Sequence, residues 1–272
     1  MQKLTAIVTG AASGIGEATV ARLLADGYDV CAFDIDAAGL QRLKAQSPQG
    51  SALTTVAGDV CSASAWGDLR QQWSQMHGGS RLHVLVSCAG LLRVGSLADT
   101  SEDDWDQLFE VNVKGTFLAL RTLTPLMKST GTDQRRASVI VVTSAAAVRP
   151  KIGGGLYAAT KAALAQTVKV WAVELAQSGI NVNALAPGTV NTPMASSLGS
   201  VKGNFALSGV SPMGRMAEAR DIADAISLLY DERARFITGA SLAVDGGLTA
   251  AFVPAPGMAA ATASQQPAPA TT

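Results

Sequence analysis

The sequence lacks an excess of either charge: Lys plus Arg and Asp plus Glu each number 21, so the formal net charge is zero. A neutral chain without runs of like charge has no field to draw in nucleic acid and no basic stripe for an anionic membrane surface. Aromatic residues make up only 5%, and no uninterrupted apolar stretch reaches the roughly 18 residues that a membrane-spanning helix needs. Only Met1, Gln2 and Lys3 precede the first apolar run, which at about five residues is too short for the core of a signal peptide. The three cysteines, Cys31, Cys61 and Cys88, are odd in number and lack metal-ligand spacing, which argues against a disulfide framework or a zinc site and for reduced thiols. A cytoplasmic protein with no metal, nucleic-acid or membrane partner is the expectation.

What the chain does contain is 48% hydrophobic residues and 27 glycines, a composition suited to a sheet covered by closely packed helices. Short apolar runs at Lys3–Thr9, Asp29–Phe33, Ala52–Ala57, Leu82–Ser87, Ser138–Thr143, Asn181–Ala186 and Ser241–Val244 read as strands. Both faces of these runs are apolar, as in central strands of a parallel sheet. Stretches of helical period lie between them, near 14–26, 37–46, 62–77, 103–128, 156–177 and 218–230. Such alternation predicts a single doubly wound α/β domain of the Rossmann type over residues 1–252, with a seven-stranded parallel sheet, helices on both faces and ligands beyond the carboxyl ends of the strands. From Val253 to Thr272 the chain turns to Ala, Pro, Thr, Ser and Gln without charge or periodicity, which predicts a flexible tail.

The first strand runs straight into Thr9-Gly10-Ala11-Ala12-Ser13-Gly14-Ile15-Gly16 and then a helix. Amides at a helix N-terminus can face a pyrophosphate, and glycines allow the close approach, although an ordinary strand-to-helix turn has the same composition. Asp34 ends the second strand 18 residues after Gly16, where a carboxylate accepts hydrogen bonds from the adenosine ribose and repels a 2′-phosphate. Ala12, Ser13 and Ile35 offer no cation for such a phosphate, so NAD is favoured over NADP. Asp59 and Val60 close the third strand within reach of an adenine, but an Asp there equally serves as a helix cap or turn former.

Ser144 ends the fifth strand, and Tyr157 follows thirteen residues later with Lys161 four beyond it, on one helix face. A free tyrosine titrates near about 10, so acid/base work at neutral pH requires a lysine ammonium or similar charge to stabilise tyrosinate by roughly 4 kcal/mol. Ser144 can both donate to and accept from a substrate oxygen.

Together these features resemble the short-chain dehydrogenase/reductase family in its single-domain branch. The motifs are Thr-Gly-x-x-x-Gly-x-Gly at 9–16, Asn112 in Val-Asn-Val-Lys-Gly, Ser144, Tyr-x-x-x-Lys at 157–161 and Pro187-Gly188-Thr189-Val190-Asn191-Thr192, in family order over about residues 1–248. The resemblance implies an NAD-dependent alcohol dehydrogenase or ketone reductase in which Tyr157 is the general acid/base. It further implies that Lys161 binds the nicotinamide ribose and lowers the Tyr157 pKa, that Ser144 orients the substrate, and that Asn112 interrupts its helix and holds a relay water. Gly10, Ser13, Gly14, Ile15 and Gly16 would surround the pyrophosphate, Asp34 and Ile35 the adenosine ribose, Asp59 and Val60 the adenine, and Ala89 and Gly90 the ribose region. Val190 and Thr192 would hold the nicotinamide carboxamide, with Pro187 and Gly188 beside them at the cofactor. One departure is Ser87-Cys88-Ala89-Gly90, where the family usually has Asn-Asn-Ala-Gly; Cys88 reads as a small buried hydrophobe rather than a nucleophile.

The substrate wall is expected from Leu91–Val94, Ala145–Ile152, Gly153–Leu156 and a lid over Met194–Pro212, with Ala146, Arg149, Gly154 and Met194 as contacts. Arg93, Arg149, Lys151 and Lys202 either greet an anionic group or are simply solvated. The helix bearing Tyr157 is apolar nearly all round, and family members pair this helix across two-fold axes, which implies a homotetramer or, next, a homodimer. The rival readings are an NADPH-dependent carbonyl reductase, opposed by Asp34, and a non-catalytic NAD-sensing protein, opposed by the intact Ser, Tyr and Lys. An isomerase or dehydratase using bound NAD would need a substrate domain for which this length leaves no room.

Overall fold

Val- and Ile-rich strands with two apolar faces are stable only between two helical layers, and residues 6–8 illustrate the arrangement. Ile7 packs on one side of the sheet with Phe33, Trp66, Trp73, Leu85 and Leu120. Its neighbours Ala6 and Val8 pack on the other with Val20, Leu23, Leu40 and Ile226. The computed structural model describes residues 3–78, 80–129, 135–196 and 211–251.

The first half comprises β1 (Thr5–Thr9), α1 (Gly14–Ala25), β2 (Asp29–Asp34), α2 (Ala37–Gln46), β3 (Leu53–Ala57), α3 (Ala63–Met76), β4 (Val84–Ser87), α4 (Glu102–Phe109), a π-helical turn (Glu110–Lys114) and α5 (Gly115–Met127). The second comprises β5 (Ala137–Val142), α6 (Gly155–Leu175), β6 (Ile180–Pro187), β7 (Val190–Asn191), α7 (Pro193–Ser196), β8 (Ala217–Glu218), α8 (Ala219–Tyr230) and β9 (Ser241–Val244). Seven strands form one sheet in the order β3-β2-β1-β4-β5-β6-β9, every pair parallel, as the alternation predicts. The strand order reverses between β1 and β4, and in a doubly wound sheet the crevice at that switch point is where ligands bind.

Two expectations need correction. The run at Ser241–Val244 is an edge strand with Ser241, Leu242 and Ala243 exposed, and β3 is the opposite edge, because an open sheet must end somewhere and a short apolar run does not say where. The helical pattern over 103–128 is two α-helices separated by the π-turn around Asn112, which agrees with the interruption the family resemblance implies. The expected tail, 253–272, lies outside the described residues.

Candidate active site

At the switch point the turn after β1 is forced by close packing. Gly10 and Gly14 have φ of 63° and 56°, left-handed values that L side chains rarely adopt. A Cβ on Gly10 would lie 2.7 Å from the Ala89 nitrogen, so the loops after β1 and β4 touch backbone to backbone. Thr9 Oγ1 binds them by accepting from the Cys88 and Ala89 amides at 3.2 and 3.1 Å. Ser13, just before helix α1, is extended and makes no side-chain cap, whereas Asp36, Ser62 and Ser101 cap α2, α3 and α4. The first amides of α1 therefore face the crevice without a capping oxygen, a setting suited to a phosphate.

At the end of β2 the Asp34 carboxylate is fixed by two backbone donors, Ala12 and Asp36, each at 2.9 Å. Asp59 accepts from the Cys61 amide at 2.8 Å, a turn-forming role, while α3 is capped by Ser62 instead. Gly10, Ser13, Gly14, Ile15, Gly16, Asp34, Ile35, Asp59, Val60, Ala89 and Gly90 all line one cavity of about 440 Å³.

A second cavity, of about 570 Å³, meets the first at Ile15, Cys88, Gly90, Thr192 and Met194. Ser144, two residues beyond β5, and Tyr157, in the first turn of α6, reach it from adjacent elements and are hydrogen-bonded through their side chains. Ser144 Oγ also accepts from the Ala146 amide at 3.1 Å, which orients it. Lys161, one turn beyond Tyr157, is buried; its Nζ donates to the Val142 carbonyl at 3.0 Å and lies 5.7 Å from the Tyr157 ring centre. Pro187, Gly188, Val190 and Thr192 line the same cavity, together with Ala146, Arg149, Gly154 and Met194.

Burial dominates the ionisation of this pair. It pushes the Tyr157 hydroxyl up to about 12, opposed by the hydrogen bond from Ser144, and it pulls the Lys161 ammonium down to about 8. The lowering of Tyr157 that the sequence leads one to expect is thus outweighed in the protein alone, because removing both groups from water disfavours both charged forms. Burial likewise holds the Cys88 thiol up to about 12, so Cys88 is protonated at neutral pH, in keeping with a small apolar filler.

Asn112 lines neither cavity. It is fully buried in the π-turn, where Oδ1 accepts from the Leu91 amide at 2.7 Å and Nδ2 donates to the Leu91 carbonyl and to Thr160 Oγ1, both at 3.0 Å. It clamps the loop after β4 to the helix that carries Tyr157 and Lys161. Of the cations considered for an anion, Arg149 and Lys151 line the larger cavity, whereas Arg93 is held by Gln107 at 3.0 Å and Asp104 at 3.4 Å. Lys202 and residues 197–210 of the expected lid lie outside the described residues. Two residues that the sequence pattern does not mark are Thr160 and, in the loop after β9, Leu248, which lines the larger cavity. The carboxyl-end rule, applied to the last strand as well, points to Leu248. Among the described residues no three His, Cys, Asp or Glu side chains gather as a metal site.

Residues 10–249 match the family model described as enoyl-(acyl carrier protein) reductase. The chain belongs to the short-chain dehydrogenase/reductase family. This short-chain dehydrogenase/reductase is 37% identical to the (3R)-3-hydroxyacyl-CoA dehydrogenase of Canis lupus familiaris, over 91% of its own length and 97% of the relative. It is 35% identical to the 3-oxoacyl-(acyl-carrier-protein) reductase FabG of Thermotoga maritima, over 89% and 96%. The crystal structure of 3-ketoacyl-(acyl-carrier-protein) reductase from Brucella melitensis complexed with NADH superposes with a TM-score of 0.81 at 29% identity, covering 92% of this chain and all of that one. As an oxidoreductase of that family, the protein has a crevice whose residues fit a nicotinamide dinucleotide.

Proposed function

We propose that this enzyme transfers a hydride between NAD(H) and a secondary alcohol or ketone, with Tyr157 as general acid/base. The observation that carries the reading is the convergence of Ser144, Tyr157 and Lys161 on one cavity that opens into the glycine-rich crevice. A bound nicotinamide would accept or supply the hydride and, when oxidised, would add a positive charge to the site. Gly10, Ser13, Gly14, Ile15 and Gly16 are proposed to hold the pyrophosphate, Asp34 and Ile35 the adenosine ribose, Asp59 and Val60 the adenine, Ala89 and Gly90 the ribose region, and Val190 and Thr192 the carboxamide, with Pro187 and Gly188 beside them.

Ser144 holds the substrate oxygen beside the Tyr157 hydroxyl. In oxidation the Tyr157 phenolate takes the alcohol proton; in reduction the phenol returns it to the forming alkoxide. The Lys161 ammonium supplies positive charge toward the phenolate and a donor for the nicotinamide ribose, and Asn112 is proposed to hold a water that relays the proton from Lys161 to solvent. A homotetramer in the cytoplasm completes the proposal. The relatives' names speak of hydroxyacyl and oxoacyl groups, which are alcohols and ketones of the required kind.

Preference for NAD rests on Asp34, whose fixed carboxylate would meet a 2′-phosphate as a like charge inside a cleft. Steady-state assays of secondary alcohols with NAD and NADP, followed by nicotinamide absorbance, should give NAD an advantage of about tenfold or more in kcat/KM. Asp34→Ala combined with Ile35→Arg should shift the preference toward NADP. Equal efficiencies in the unaltered enzyme would contradict the assignment.

A further inference from the structure

The two cavities differ in the sign of their charge. Among the described residues that line the dinucleotide cavity, the charged ones are Asp34 and Asp59. Those that line the substrate cavity are Arg149, Lys151 and Lys161, with no carboxylate among them. Lys161 is buried beside Tyr157, but Arg149 is exposed on the loop between Ser144 and α6, next to the exposed apolar side chains of Val148 and Ile152. The cavity therefore has a largely apolar body that holds Lys161, and a cationic rim.

We propose, resting on the reaction assigned above, that Arg149 and Lys151 recognise an anionic group on the substrate, a carboxylate or a phosphate carried at the far end from the reacting carbon.

Three features support this. Arg149 Nη1 donates to the Leu248 carbonyl across the cavity entrance, which fixes the guanidinium; a guanidinium has five N–H donors, and the remaining ones suit the two oxygens of a carboxylate or phosphate. No carboxylate pairs with Arg149 among the described residues, and the only Asp or Glu in the rest of the sequence is Asp133. Lys151 stands close enough to Arg149 to be disfavoured by it, on top of the burial that weakens its charge. Both cations thus sit within each other's field on the lining of one cavity, where a single anionic group can meet them together.

The test uses the Tyr157→Phe enzyme loaded with NADH, which should bind without turnover, so that recognition is read apart from chemistry. Binding of acetoacetate, its neutral ethyl ester and acetoacetyl-CoA is followed by NADH fluorescence. At least one anionic probe should bind about tenfold or more tightly than the ester, acetoacetate if the group is a carboxylate ending a short chain and acetoacetyl-CoA if it is a phosphate farther out. Adding Arg149→Ala and Lys151→Ala should abolish that advantage while ester binding stays within about twofold, and Arg149→Lys should restore part of it. Equal binding of all three probes, an advantage that survives the double substitution, an equal loss for all three, or no binding of either anion at millimolar concentration would overturn the proposal. Failure of the reaction assignment shows up separately, as turnover that does not depend on Tyr157.

Discussion

A Cβ added to Gly16 would lie 2.0 Å from the Gly10 carbonyl oxygen, a backbone atom that cannot swing aside. Gly16→Ala should therefore force the turn after β1 open, lowering both the melting temperature and dinucleotide affinity. Gly67, by contrast, sits exposed in the middle of α3, and a methyl group there would meet nothing within 4 Å. Gly67→Ala should stabilise by about 0.5–1 kcal/mol, the ordinary helix penalty of glycine, which raises Tm by roughly 1–4 °C in a domain of this size. Thermal unfolding of the pair checks both, and a Gly16→Ala protein as stable as the unaltered one would contradict the packing described. At this scale the sequence is most legible where chemistry is local. Ser144, Tyr157 and Lys161 can be read because a strand end and one helical turn bring them together, and the cavity does contain all three. For Leu248 the carboxyl-end rule points only to the loop after the last strand, and its place opposite Arg149 is not legible because it depends on a contact spanning 99 residues.

Among the elements, the π-turn over Glu110–Lys114 has the clearest consequence. It turns Asn112 toward Leu91 and Thr160, 21 and 48 residues away, and the amide serves the backbone of one and the hydroxyl of the other. Asn112→Ala would strand the Leu91 N–H and C=O in a partly buried setting, at up to about 1–3 kcal/mol for each group left without a partner. Its melting temperature should fall below that of Thr160→Val, which removes one bond to Asn112 and the helix-internal bond to the Tyr157 carbonyl, and turnover should fall with it as the loop after β4 loosens. Equal stability of the two variants would show that the clamp is incidental. Periodicity over 103–128 predicts a single helix, and only the family motif around Asn112 marks the break. The strands are legible from their two apolar faces, but which of them lie at the edges is not, because that is decided by chain topology.

On the scale of the whole molecule, exposed apolar side chains among the described residues include two sets on different elements. Phe117, Val170 and Val173 lie along α5 and α6, and Leu228, Phe236, Ile237 and Leu242 lie on and after α8 and at the β9 edge. One self-complementary patch makes a two-fold dimer, and two independent patches make a tetramer. Sedimentation should show a tetramer that Val173→Lys converts to dimers, and a monomeric unaltered enzyme would contradict this. The central claim concerns the proton at Tyr157, which burial, opposed by the Ser144 hydrogen bond, holds at about 12 and which the charged site must bring within reach. The most direct measurement is kcat for alcohol oxidation as a function of pH, in the unaltered enzyme and in Tyr157→Phe. Because the base is the deprotonated form, the rate should rise with pH through an apparent pKa well below the usual value of about 10, and Tyr157→Phe should lose about 10²–10⁴-fold in turnover while retaining NAD affinity. A Tyr157→Phe enzyme with near-normal turnover and the same pH profile would contradict the mechanism.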